Sequence, residues 1–97
     1  MSLEGLEALR QRFRARARED LLAVQAWAAA GLPHDPDTER RVHNLAGAAG
    51  AFGYPRLNAA AAVLDDAIAV GETPSLSDVE GLIAALDQMD SERAPEG

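Results

Sequence analysis

The 97-residue chain contains no cysteine. That absence excludes a disulfide framework, a thiolate metal site and a cysteine nucleophile, and it suits a reducing compartment, so cytoplasm is the expected location. Long apolar runs are missing too. No stretch approaches the roughly 18 to 20 residues needed to span a bilayer, and the N-terminus lacks a basic-then-apolar signal pattern, so a soluble chain with no membrane partner is expected. Positive charge is scarce. A net charge of −7 argues against nucleic acid as a partner, because its binders gain most of their affinity by setting clustered Lys and Arg against phosphates. Strand alternation is absent, so no glycine-rich phosphate loop can follow a strand, and an ATP site is not expected. Large side chains are few, while alanine is plentiful, notably in "NAAAAVL", Asn58 to Leu64. That composition permits close approach of helices and leaves a thin core.

What the chain does have is helical periodicity. Leu6, Leu9, Phe13, Ala17, Leu21, Val24 and Ala28 recur at spacings of three and four, predicting one helix over about residues 3–30 that stops at Gly31. The loop "GLPHDPD" follows, and Asp35 before Pro36 reads as a cap and first turn for a helix over about 36–52. Gly53 is a natural left-handed stop, and Pro55 opens a third helix to about residue 70, with Leu57, Ala61, Leu64 and Ile68 as its apolar stripe. After "GETPSL", Ser77 and Glu80 stand as a capping box for a fourth helix over about 77–90, whose buried face is Val79, Leu82, Ile83, Leu86 and Met89. Four such stripes must bury one another, so the expected fold is all-α, an antiparallel up-down four-helix bundle forming a single domain over 1–97. The opening "MSL" and closing "EG" read as cloning remnants, and the tail "SERAPEG" should fray. Trp27 is expected to plug the core or the bundle end.

One histidine stands apart. On a wheel of about 100° per residue, Thr38, Val42, Leu45, Ala49 and Phe52 form the buried arc of the second helix, and His43 lies off it. Glu39 and Arg40 precede it by one turn, Ala46 and Gly47 follow by one turn, and Gly50 by two. Interior glycine costs roughly 1 kcal/mol relative to alanine, so two glycines on one helix need compensation. The expectation is that Ala46, Gly47 and Gly50 line an open strip beside the imidazole rather than a crowded contact with the third helix. An exposed imidazole free of metal is a competent nucleophile as well as an acid or base, and a bare strip lets another protein bring an electrophile to it.

Other chemistry is thin. His34 lies beside Asp35 and Asp37, but one loop histidine without a second ligand cluster reads as surface, so no metal is expected. Asp65 and Asp66 are adjacent, point about 100° apart and cannot act as a paired acid and base; one or other is expected to face water or cap a neighbouring group. Arg10 to Arg18, "RQRFRARAR", reads as a solvated helix face, with docking of an acidic partner as the other reading.

The eleven residues "HNLAGAAGAFG", His43 to Gly53, resemble the signature of the histidine-containing phosphotransfer (HPt) domain family, in which His-x-Leu-Lys-Gly is followed by small residues and a further glycine. The leading "LEALRQRFRARAREDLLAV" is similar to the family's first core helix, and "YPRLNAAAAVLDDAI" to the helix after its histidine, with an acidic residue following the leucine. The resemblance implies a four-helix bundle in which His43 accepts a phosphoryl group from a receiver-domain aspartate and passes it to another receiver in a two-component phosphorelay. It implies a carrier rather than an enzyme, and a monomer. The partners implied are response-regulator receivers and a hybrid histidine kinase, with Mg²⁺ brought by the receiver and no cofactor on this chain. The second reading is an adaptor or inhibitor that docks a receiver or kinase without being phosphorylated. It stays open because Ala46 occupies the position where the family usually has lysine. A third, a purely structural helical module, is disfavoured by the glycines. Arg40, about 60° round the wheel from His43, either supplies the missing charge or is solvated and paired with Glu39 or the preceding loop. Tyr54 and Leu32 are candidates for an apolar docking patch, and Tyr54 serves equally as a staple for the third helix.

Overall fold

The computed structural model describes residues 3–92, with side chains from residue 4 to 91. Residues 1–2 and 93–97, which hold most of the expected remnants and of the fraying tail, therefore lie outside the described residues, whereas Leu3, read as part of the opening remnant, begins α1. Helices are the only regular structure among those described: α1 Leu3–Ala29, α2 Pro36–Ala51, α3 Pro55–Ala69, α4 Leu76–Asp87 and a single-turn α5 Met89–Glu92. Each long helix packs against two others, α1 on α2 and α4, and α3 on α2 and α4. No helix among the described residues is long and apolar enough to cross a membrane.

Local chemistry sets these boundaries. Gly31 (φ 89°) and Leu32 (φ 59°) both enter the left-handed region and end α1, and the Leu32 N–H turns back to the Trp27 carbonyl at 3.0 Å. Trp27 is buried and donates its indole N–H to the Pro33 carbonyl at 2.7 Å, which makes it the plug expected at this end of the bundle. Asp35 caps α2: its carboxylate accepts the N–H of Asp37 (3.2 Å) and Thr38 (3.5 Å) and the Thr38 hydroxyl (2.9 Å). Those bonds, the Thr38 hydroxyl first, hold the Asp35 carboxyl below its usual range. Gly53 (φ 83°) stops α2, and the Tyr54 N–H returns to the Ala49 carbonyl at 2.9 Å, so only Phe52 to Tyr54 separate α2 from α3.

Two expectations at α4 are corrected. The cap is Ser75, whose hydroxyl accepts the Asp78 N–H at 3.1 Å. Ser77 sits inside the first turn, because the chain leaves the extended conformation after Ser75 (φ −70°, ψ 151°) and the helix begins at Leu76. The helix also stops at Asp87. Gln88 breaks it, and Met89, expected on the same helix, reaches the core from α5.

The core is built from the predicted stripes. Phe13, Ala17, Val24, Val42, Leu45, Ala49, Leu57, Ala61, Leu64, Val79, Leu82 and Leu86 are all buried, with Leu21, Ala28, Phe52, Ile68 and Ile83 packed partly against them. Leu6, expected in the α1 stripe, is exposed: it lies toward the N-terminal end of the longest helix. One charge is buried among them. Asp20 on α1 accepts a hydrogen bond from Arg41 Nη1 on α2 at 2.8 Å, joining the two helices two residues before His43. Burial raises the Asp20 carboxyl above its usual range against the pull of Arg41, whereas the Arg41 guanidinium, which reaches water, is stabilised by the pairing.

Candidate functional site

His43 projects from the middle of α2, and its side chain is 72% exposed. The buried residues Val42 and Leu45 fix the phase of the helix, so residue 43 falls on the outer face. Across the seam, Asp65 of α3 meets the ring: His43 Nδ1 lies 3.1 Å from Oδ1 and 3.2 Å from Oδ2. An ionised carboxylate only accepts, so Nδ1 carries the proton and donates it. The lone pair of the neutral ring is then on Nε2, the nitrogen that Asp65 does not contact. Asp65 is the half of this site that the sequence did not reveal. It is 22 residues from His43, and only the phase of α3 against α2 brings the two together. Asp66, on the next position of the helix, is exposed.

The strip beside the ring is partly as expected. A Cβ at Gly47 would meet nothing within 4 Å, so this glycine leaves open surface one turn beyond the histidine. Gly50 is different. A Cβ there would stand 3.1 Å from the amide nitrogen of Asn58 on α3, and that amide donates to the Ala46 carbonyl. Ala46 is half-buried and packs against the core. The expectation that both glycines and the alanine avoid the third helix is thus corrected for Gly50 and Ala46: α2 and α3 lie close along an alanine-rich seam, and these positions turn toward it.

Tyr54 is not part of any docking patch. It is fully buried, its ring centroid 5.5 Å from that of Phe13, which in turn stacks on Phe52 at 5.2 Å. At the start of α3 it fills the space between α1 and that helix, as the stapling alternative held. Leu32 is half-buried against the core near Trp27, Pro33 and His34, and Ile68 shares that hollow. Arg40 is exposed and lines a groove with Arg16, Asp37, Arg41 and Asn44. It is not paired with Glu39, whose carboxylate holds His34 Nδ1 at 2.9 Å and the Asp35 N–H at 3.3 Å. His34 is a surface loop residue, as its sequence context implied. Of the basic run on α1, Arg12, Arg16 and Arg18 face water, while Arg14 pairs with Asp90 at 2.6 Å.

The arrangement offers one nucleophilic nitrogen on an open surface, oriented by a carboxylate, with no cationic side chain one turn beyond it. Compared with known families, the chain matches the model of the Hpt domain over residues 8–92. No curated protein and no solved structure matches it.

Proposed function

The chain belongs to the Hpt domain family, whose members carry phosphoryl groups in two-component signalling and are not themselves kinases, and from that membership we propose that His43 is the residue that takes the phosphoryl group from a receiver aspartate and hands it to a second receiver. The observation that carries the reading is the exposed ring held by Asp65 through Nδ1. In the forward step the Nε2 lone pair attacks phosphorus, the bond from phosphorus to the receiver's carboxylate oxygen breaks, and that carboxylate leaves with the electron pair. No proton moves: Nδ1 keeps its hydrogen, the phosphorylated ring becomes a cation, and the Asp65 carboxylate lies against that charge. Transfer through a loose transition state depends on positioning and on charge at the phosphoryl oxygens. The receiver is expected to supply Mg²⁺, and this chain the oriented nucleophile and the open surface at Gly47. The short connection between α2 and α3 and the ring of helix contacts support the antiparallel up-down arrangement that presents it.

The test is incubation with a receiver bearing labelled aspartyl phosphate. The expected result is label on this chain that is lost in acid and survives base, the behaviour of a phosphoramidate. Tight binding without label supports the adaptor reading, for which the relevant observation is Ala46.

Two variants probe the roles. Asp65→Ala should slow acceptance about tenfold, the scale of one charge-assisted hydrogen bond at an exposed site, with helix content unchanged by circular dichroism. An unaltered rate would remove Asp65 from the mechanism. Ala46→Lys should raise the initial rate of transfer by placing an ammonium near the phosphoryl oxygens; a slower rate in a folded variant would count against that role for the position.

A further inference from the structure

Among the described residues, the α2–α3 seam is crossed at two places whose spacing links them. His43 meets Asp65, and Gly50 meets Asn58. On each helix the two partners are seven residues apart, which is nearly two full turns, so they share one face about 10.5 Å along the axis. We infer that Asn58 is a positioning residue: its amide, bonded to the Ala46 carbonyl, sets the register in which Asp65 reaches His43 Nδ1, and Gly50 is the vacancy that the amide requires.

The Ala46 carbonyl already belongs to the helical ladder, in which it faces the N–H four residues on. Its second lone pair takes the Asn58 N–H, so the bond adds to the ladder without replacing part of it. The half-buried Asn58 must reach over the backbone of α2 to that carbonyl, and this brings its amide to 3.1 Å from where a Cβ of the exposed Gly50 would stand. A side chain at position 50 would press on this tethered amide, which would have to shift by a few tenths of an ångström against its bond to Ala46. This accounts for one of the two glycines in α2 by a close approach, whereas Gly47 faces open solvent. The consequence for the site is directional. A slide of α3 by a fraction of a turn would carry Asp65 away from the ring, and the bond from Asn58 to the Ala46 carbonyl opposes such a slide.

The inference deepens the phosphoryl reading, but its first readout stands apart from it. Ring ¹⁵N shifts of His43 report which nitrogen holds the proton in the neutral side chain. In the parent chain Nδ1–H should dominate, and in Asp65→Ala it should not. Asn58→Ala and the isosteric Asn58→Asp, which has no donor for the carbonyl, should both move the tautomer ratio toward the Asp65→Ala value. They should also slow acceptance from a phosphorylated receiver by on the order of fivefold, a displacement effect smaller than removal of the carboxylate. Gly50→Ala should act in the same direction in the parent. In the Asn58→Ala background it should no longer perturb the ring, and it should raise the melting temperature, since alanine is the better helix former. Additive effects of the two substitutions would overturn the inference. So would a tautomer ratio that Asp65→Ala shifts and both Asn58 variants leave unchanged. If Asp65→Ala itself leaves the ratio unchanged, the Asn58 inference fails through its partner. If every ratio shifts as expected and no chain accepts label, the positioning role stands and the phosphoryl reading fails.

Discussion

His43→Gln is expected to take up no label from a phosphorylated receiver, with a thermal melt that superimposes on that of the parent. Glutamine is close in reach to the imidazole but has no ring nitrogen with a free lone pair; its amide nitrogen is conjugated and does not attack phosphorus. The chemical effect is therefore complete rather than graded. The structural effect is small because the side chain is 72% exposed and makes its hydrogen bond at the surface, a setting in which substitutions usually stay within about 0.5 kcal/mol. Autoradiography after incubation with the receiver reads the first outcome, and circular dichroism reads the second. Label that persists on the variant moves the acceptor elsewhere, with His34, the second histidine, first to be tested.

Leu64→Ala should do the opposite. Leu64 is fully buried on α3, one residue before Asp65. Its truncation removes apolar contact and leaves a cavity, at a cost of about 2–5 kcal/mol. Many neighbours on this seam are already alanines, with little side chain to move into the space, which favours the upper part of that range. Urea unfolding should show the loss as a lower midpoint with an unchanged slope. At a temperature where the variant remains folded, acceptance of label should be near that of the parent, because residue 64 faces the core and residue 65 faces the ring. A variant as stable as the parent would mean that the core closes around the gap. A folded variant with no transfer would mean that the core residue sets the position of the carboxylate.

Much of this architecture is legible in the sequence. Helical period, Asp35 followed by Pro36, and glycines at 31 and 53 carry local signals, and both glycines take the positive φ that such stops use. The face of His43 was legible for the same reason: the stripe from Thr38 to Leu45 fixes the phase of one helix without reference to any other. What was hidden is what requires two helices at once. The Asp65 contact, the Asn58 amide over Gly50 and the Asp20–Arg41 pair all depend on how far one helix is slid and turned against its neighbour, and no local period encodes that. Tyr54 had two equal readings for a related reason: next to a glycine stop it fits loop surface or a staple of the third helix, and the turn folds it inward onto Phe13. Ser77 and Glu80 matched a capping pattern that Ser75 satisfies first.

Only three residues join α2 to α3. The entropic cost of bringing two points of a chain together grows with the length between them, so the pairing of residues 43 and 65 is among the cheaper encounters between different helices, whereas α1 must await the far end of the chain to meet α4. The helical hairpin that bears the histidine is thus the most locally encoded part of the molecule, and α1 and α4 act chiefly as its backing.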